Sequence, residues 1–227
     1  ESVAEHTIAM MIGLSKHFPQ QTAALRAGRY NDRTKLSGRD IFGRSLGIIG
    51  FGRIGSRVGA IAHQCFGMSV LYNDIVAIPA EREDLAGARW ARFEEVLEAS
   101  EYVTLHVPLD ASTRGMIDRA ALARMRPDAI LINTCRGPVV VEQAVAEALD
   151  AGRLFGYGAD VFEIEPPPPD HPLIGRTDNV LLTPHSAAQT GESLVNMATG
   201  VALDVIRVLQ GEPPQNPVND PHEVAAN

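Results

Sequence analysis

Three segments of the sequence place reactive side chains where a strand is predicted to end. Arg136 follows the apolar run of "LINTCRG", and His185 follows that of "NVLLTPH", on a turn set by Pro184. The stretch "DVFEIEPPPP", residues 160–169, adds three acids before a run of prolines, which fix φ and donate no backbone hydrogen bond. Ligands of parallel sheets covered by helices collect at the carboxyl ends of the strands. The sequence predicts an arginine and a histidine at one edge of a sheet, and leaves open which acid, if any, joins them.

The side chains at these strand ends suit an acid substrate and a proton transfer. A guanidinium can hold a carboxylate through two parallel N–H bonds and polarise a neighbouring carbonyl oxygen, although an isolated arginine more often pairs with a surface acid. An imidazole can take up or return a hydroxyl proton near neutral pH. His106, in "VTLHVPL", also lies at a predicted strand end, where we expect it to form a wall of the site. Cys135 is not expected to act as a nucleophile, because no histidine lies near it in the sequence to activate it.

Alternating strands and helices must position these residues. From residue 45 onward, short β-branched or apolar runs alternate with apolar residues spaced three and four apart, which is typical of βαβ units around a parallel sheet. Strands are predicted at residues 45–50, 69–74, 102–107, 130–133, 156–161 and 180–182, with a weaker one at 88–93. A helix that opens the chain, with Ser2 as its N-cap, and another at residues 191–210 bracket this unit. The predicted fold class is α/β, a doubly wound parallel sheet of the Rossmann type.

The segment "LGIIGFGRIGSRVG" contains the first of these strands and opens a helix. Its Gly50, Gly52 and Gly55 have the G-x-G-x-x-G spacing, which provides a tight turn, a close approach to a pyrophosphate and close packing of helix on strand. Asp74 ends the second strand 19 residues after Gly55, where a carboxylate can hydrogen-bond the adenosine ribose. Glycine turns and solvated acids also occur without ligands, but all these features in this order predict a dinucleotide site. The acid, with no arginine in the "IVAI" directly after it, favours NAD over NADP, and a dinucleotide implies hydride transfer.

Composition excludes several other classes of function. The chain has 227 residues, 45% of them hydrophobic, and a net charge of −8, and no cluster of Lys and Arg predicts nucleic-acid binding. No apolar run is long enough to cross a bilayer and no signal peptide is recognised, so we expect a cytoplasmic protein without membrane contact. Two distant cysteines predict neither a disulfide framework nor a metal site.

Six motifs together resemble the NAD-dependent D-2-hydroxyacid dehydrogenase family, which includes phosphoglycerate dehydrogenases and hydroxypyruvate reductases. They are "GFGRIG", "LHVPLDASTRGMI", "NTCRG", "DVFEIEPPPPDHPL", "LLTPH" and "GEPPQNPVN", in the family's order and spacing. By this resemblance Arg136 binds the substrate, and Glu165 and His185 form the catalytic pair of acid and histidine. The resemblance and the glycine motif together assign the cofactor contacts to Gly50, Gly52, Arg53, Ile54, Gly55, Asp74, His106, Pro108, Thr113, Thr134, Cys135, Arg136, Asp160 and His185.

The resemblance also identifies the acid that joins the histidine. A carboxylate beside an imidazole favours the protonated ring and fixes its tautomer, so the pair can take a hydroxyl proton in oxidation and return it in reduction. Glu163 is then expected to be solvated, and Asp160 to shape the cofactor site. The related formate dehydrogenases have Gln at the position of Glu165, so an acid there favours a hydroxy-acid substrate.

A second lobe is implied by the same resemblance. The family builds its substrate domain mainly from an N-terminal segment that this sequence does not contain. Residues 1–28 are therefore expected to be a hinge, 29–190 the NAD-binding domain, and 191–227 a helix and tail that return to the substrate domain.

The expected function is hydride transfer between NAD(H) and a small D-2-hydroxy or 2-keto acid, by a homodimer. The alternative is an NAD(H)-binding regulator similar to the family's corepressors, or a fragment that binds the cofactor without turnover.

Overall fold

A seven-stranded parallel sheet organises residues 1–187, which form one compact unit. The computed structural model describes residues 1–76, 78–176 and 178–217. The strands are β1 Ser45–Ile49, β2 Ser69–Asn73, β3 Ala88–Trp90, β4 Tyr102–Leu105, β5 Ile130–Asn133, β6 Gly156–Ala159 and β7 Val180–Leu182. Every predicted strand is present, and the predicted α/β fold is confirmed. The central strands β4, β5 and β6 are buried at every position, as in parallel sheets with helices on both faces, whereas the edge strand β3 is mostly exposed.

Helices lie before and between the strands, as the apolar spacing of three and four predicted. They are α1 Ser2–Ser15, α2 Phe18–Arg26, α3 Arg53–Phe66, α4 Ala80–Ala86, α5 Phe93–Ala99, α6 Arg119–Arg124 and α7 Glu142–Asp150. The prediction of Ser2 as N-cap is wrong, because Ser2 is the first helical residue and Glu1 occupies the cap. The sequence pattern also missed α2 and α4, since both are short and mostly exposed and have little apolar periodicity.

Apolar side chains from alternate strand positions form a core on each face of the sheet. One face packs on α5, α6 and α7, and the other on α1, α3 and α4. The strand order is β3-β2-β1-β4-β5-β6-β7, so the chain moves outward from β1 to β3 and then returns to the other side of β1 at β4. At such a reversal the connections leave in opposite directions, and a crevice opens beyond the carboxyl ends of β1 and β4. The glycine turn follows β1 and therefore lies at this crevice.

The described residues after 187, which are 188–217, form a second compact unit. Its helix α8, Gly191–Leu209, is capped by Thr190, whose side chain accepts a hydrogen bond from the Ser193 amide. Of the predicted tail, residues 218–227 lie outside the described residues. The assignment of residues 1–28 and 191–227 to the surroundings of a substrate domain stays a prediction. Within the described part of the chain, no helix combines the length and apolar character that a membrane span requires.

Candidate active site

The three glycines of the turn after β1 differ in the space that a side chain would find at each position. Gly50 has a φ of +89°, and a Cβ on it would lie 2.5 Å from the carbonyl oxygen of His106. At Gly55 a Cβ would lie 2.1 Å from the carbonyl oxygen of Gly50, so helix α3 packs directly on the end of β1. A Cβ on Gly52 would meet nothing within 4 Å. The surface over Gly52 is therefore open to a ligand, and α3 begins beside it with N–H groups that have no partner inside the helix.

Asp74 is held beside this turn by the backbone. Its Oδ2 accepts a hydrogen bond of 2.6 Å from the Phe51 amide, and its Oδ1 accepts one of 2.9 Å from the Val76 amide. The carboxylate thus stands at the end of β2 next to the glycines, where the adenosine ribose of a dinucleotide would need an acceptor. The open space at Gly52, the helix terminus and this fixed acid fit a dinucleotide.

Alanine substitutions at Gly52 and Gly55 are expected to have different effects, so each variant is a control for the other. Gly52→Ala is expected to lower the free energy of unfolding by at most about 1 kcal/mol, because its Cβ enters open space and only the preference for glycine at the N-cap of α3 is lost. It should weaken NADH binding at least about tenfold, equivalent to about 1.4 kcal/mol, because the pyrophosphate can no longer approach the backbone. Gly55→Ala should instead destabilise the fold by about 1–3 kcal/mol, through the clash with Gly50. Urea unfolding and NADH fluorescence titration measure the two effects, and equal behaviour of the two variants would contradict the assignment.

His106 and Thr113 shape the rim of the crevice after β4. His106 Nε2 lies 3.0 Å from the hydroxyl of Thr104, and desolvation lowers the pKa of its ring to about 3. The ring is therefore neutral at neutral pH. The Thr113 hydroxyl donates to the carbonyl of Pro108 at 2.7 Å and fixes the bend of the loop. This geometry is compatible with the wall predicted for His106.

A buried amide that the sequence reasoning missed fixes the turn of Arg136. Asn133 Oδ1 accepts a hydrogen bond of 3.1 Å from the Cys135 amide, and Asn133 Nδ2 donates one of 3.0 Å to the carbonyl of Arg136. Thr134 and Cys135 are buried within the turn, whereas Arg136 is exposed. Burial raises the pKa of the Cys135 thiol, which stays protonated near neutral pH.

Asp160 fixes the turn that carries His185. His185 has a φ of +52°, a conformation that costs a non-glycine residue about 1 kcal/mol or more and persists only under constraint. Its amide donates to the carbonyl of Asp160 at 2.7 Å. The buried Asp160 carboxylate accepts hydrogen bonds from the Thr183 hydroxyl at 2.5 Å and from the amides of Ser186 and Ala187 at 2.8 Å each. This contact with the histidine turn was not foreseen from the sequence.

His185 and Glu165 form a hydrogen-bonded pair at the surface, beyond the carboxyl ends of β6 and β7. His185 Nδ1 lies 2.8 Å from Glu165 Oε2, and the Phe162 amide donates to Glu165 Oε1 at 3.0 Å. Burial raises the pKa of Glu165, but the hydrogen bonds from His185 and Phe162 and the charge of Arg136 outweigh it and lower the pKa overall. Glu165 is therefore ionised at neutral pH, and because a carboxylate only accepts, Nδ1 of His185 carries a proton. The structure thus joins Glu165 and His185 directly, and places Arg136 close enough for its charge to act on Glu165.

A cleft of about 410 Å³ opens beside the pair. Its walls are mainly apolar, and include Phe162, Pro166, Ile174 and Leu182. The stiff proline loop predicted from the sequence therefore forms one side of the cleft and places Glu165 at its edge.

Side chains of α1 reach both loops of the site, which the sequence reasoning also missed. His6 Nε2 lies 2.9 Å from the hydroxyl of Thr183, and the hydroxyls of Thr7 and Thr134 are 3.0 Å apart. No spacing rule could have found these contacts, because 177 and 127 residues separate the partners. In the described residues, no group of three or more His, Cys, Asp or Glu side chains could hold a metal ion.

A doubly wound parallel sheet with this glycine turn and an acid after β2 defines a dinucleotide-binding domain. The family model described as "D-isomer specific 2-hydroxyacid dehydrogenase, NAD binding domain" matches residues 8–187. The chain belongs to this family, as the motifs predicted, and its cofactor is NAD.

Relatives of the chain include enzymes that act on different small acids. It is 38% identical over 224 residues to a D-3-phosphoglycerate dehydrogenase of Bacillus subtilis, a match over 97% of this chain and 41% of that protein. It is 40% identical over 225 residues to a glyoxylate reductase of Korarchaeum cryptofilum, over 96% of this chain and 66% of that protein. The crystal structure of a D-lactate dehydrogenase with NAD+ from Lactobacillus jensenii matches with a TM-score of 0.87 at 31% identity, over 96% of this chain and 68% of that one. The chain thus spans 41% and 66% of the length of these two curated relatives.

Proposed function

We propose that the protein is an NAD-dependent oxidoreductase that interconverts 2-keto acids and D-2-hydroxy acids. The observation that carries this proposal is the 2.8 Å hydrogen bond between His185 Nδ1 and Glu165 Oε2, at the crevice of an NAD-binding domain. An ionised acid that holds a surface histidine in one tautomer leaves the other ring nitrogen available for a proton transfer to a ligand.

Each of the three residues has a distinct role in the proposed reaction. Arg136 binds the substrate carboxylate and polarises the 2-keto oxygen through its planar guanidinium. When bound, NADH supplies the hydride, with its electron pair, that reduces the carbonyl carbon. His185 in its protonated form gives a proton to the carbonyl oxygen, which becomes the hydroxyl, and in oxidation it takes that proton back. Glu165 stabilises the positive charge on the ring between these steps.

Other residues of the crevice are proposed to bind the cofactor. The pyrophosphate would lie on the glycine turn and on the start of α3, beside Arg53 and Ile54, and the ribose on Asp74. His106, Pro108, Thr113, Thr134, Cys135 and Asp160 would surround the nicotinamide half. We also propose that the protein is cytoplasmic and forms a homodimer. The exposed apolar side chains of α8 support the homodimer.

A panel of keto acids tests the proposal. We expect the protein in its full natural length to oxidise NADH in the presence of at least one of hydroxypyruvate, glyoxylate, pyruvate and phosphohydroxypyruvate. NADPH should be a much poorer donor, because its 2′-phosphate would approach the Asp74 carboxylate. The decrease in NADH absorbance measures the rate of the reaction. NADH binding without turnover of any keto acid would contradict the enzyme assignment and favour an NAD(H)-binding regulator.

A further inference from the structure

Two ionisable side chains outside the proposed reaction are buried against each other. Glu142 is 4% exposed and His171 is 7% exposed, and His171 Nε2 lies 2.8 Å from Glu142 Oε2. Removing such groups from water costs several kcal/mol, and apolar residues of the same size often serve a core equally well or better. Folding of the sheet alone therefore gives no reason for this pair.

The pair joins the two segments that bear Arg136 and Glu165. Glu142 begins α7, shortly after the turn of Arg136, and His171 lies in the loop that follows the prolines. His171 Nδ1 accepts a hydrogen bond of 3.3 Å from the Leu173 amide, so the ring proton is on Nε2 and is donated to Glu142. The second oxygen of Glu142 accepts a hydrogen bond of 3.2 Å from the amide of Glu163.

Successive amides connect this pair to Glu165. The Phe162 amide donates to Glu165 Oε1 at 3.0 Å, and the next amide, of Glu163, donates to Glu142. The ring of His171 packs edge-on against the ring of Phe162, with centroids 5.5 Å apart. Glu142 therefore holds the backbone next to Phe162, and His171 packs on the side chain of Phe162 itself.

The same backbone rests on the residue after Arg136. A Cβ on Gly137 would lie 1.9 Å from the carbonyl carbon and oxygen of Phe162 and 2.4 Å from the amide nitrogen of Glu163. The two segments thus touch backbone to backbone, and a small displacement of residues 162–163 would move Glu165 relative to Arg136.

We propose that Glu142 and His171 form a buried clamp that positions Glu165, and through it His185, relative to Arg136. The clamp makes no contact with the reacting groups, so both members are positioning residues. The consequence for turnover rests on the proposed function, whereas the effect on the His185 ring does not.

The tautomer of His185 is the direct readout, because Glu165 holds the proton on Nδ1 whereas a free neutral imidazole exchanges between two tautomers. In the full-length protein, the double change Glu142→Leu with His171→Phe replaces the clamp by apolar groups of similar size. We expect an unchanged or higher Tm, ring ¹⁵N chemical shifts of His185 that move toward a mixture of tautomers, and NADH affinity within about twofold of wild type. Turnover should fall about 10- to 100-fold, as for a misplaced catalytic group.

Glu163→Gln is the matched control. Its exposed side chain lies in the same loop and makes none of the clamp's hydrogen bonds; its charge acts on Glu142 only through space. The ¹⁵N shifts of His185 and the turnover of this variant should therefore stay close to those of wild type. If the double variant does not fold, Glu142→Gln is the alternative test, because it keeps the size of the side chain. An amide offers one acceptor oxygen where the site needs two, so a smaller change in the same direction is expected.

Wild-type tautomer signals in a folded double variant, or in Glu142→Gln, would overturn the clamp, as would an equal change in Glu163→Gln. If the wild type reduces none of the keto acids, the proposed function fails, but the tautomer measurement still decides on the clamp.

Discussion

His185→Gln is expected to lower turnover about 10²- to 10⁴-fold, while NADH binding stays within about twofold of wild type. Glutamine has nearly the reach of histidine and can accept a hydrogen bond, but it neither gives nor takes a proton near neutral pH. The ring of His185 is half exposed at the crevice, and Glu165 holds it from the side of Nδ1. Steady-state kinetics with the best keto acid of the panel and NADH fluorescence titration measure the two quantities.

The backbone at this position calls for a second variant. His185 has a φ of +52°, which Asn adopts more readily than Gln does. His185→Asn should therefore preserve the turn and lose turnover to a similar extent. If His185→Gln loses turnover but His185→Asn retains it, the loss is due to a distorted turn. Unchanged turnover in His185→Gln would refute the role of His185.

Arg136→Lys is expected to raise the KM for the keto acid about 10- to 100-fold, with a smaller effect on the KM for NADH. Lysine keeps the positive charge but replaces a planar fork by a point charge, so a carboxylate loses one of two parallel hydrogen bonds. The turn itself should persist, because Asn133 binds the backbone of Arg136; the guanidinium adds one hydrogen bond of 2.6 Å to the carbonyl of Cys135, which the lysine ammonium can also donate. Kinetics with each substrate varied in turn separate the two KM values.

Arg119→Lys is the control for this change. Arg119 forms a two-bond ion pair with Glu147 on the exposed surface, where such pairs contribute little. Its kinetics should match those of wild type. A KM for the keto acid that stays unchanged in Arg136→Lys would show that this residue does not hold the carboxylate.

Local patterns predicted the elements that bring the site together. The glycine spacing and the strand ends are properties of short segments, and Gly50, Gly55 and Asp74 have the conformations and contacts that those segments imply. Arg136 and His185 were found in the same way, because each follows an apolar run. Glu165 was different, since three acids lie within six residues and spacing did not distinguish them. The family resemblance selected it.

Contacts between distant segments could not be predicted from these patterns. Glu142 and His171 are 29 residues apart, and each has the sequence context of an ordinary helix start or loop. His6 and Thr183 meet only because α1 packs on the sheet beside β7. The left-handed conformation of His185 could not be predicted from its residue type, because histidine is enriched at positive φ but only a small fraction of histidines adopt it. Such features depend on the completed packing of the sheet.

The proline loop between β6 and β7 has a consequence for the timing of catalysis. No helix interrupts its described residues, and Glu165 is hydrogen-bonded within it to the Phe162 amide. The histidine and its acid are thus preorganised in the domain before any ligand arrives. In the proposed reaction, a keto acid would meet a proton donor that is already oriented, so little reorganisation of the domain would be required in each catalytic cycle.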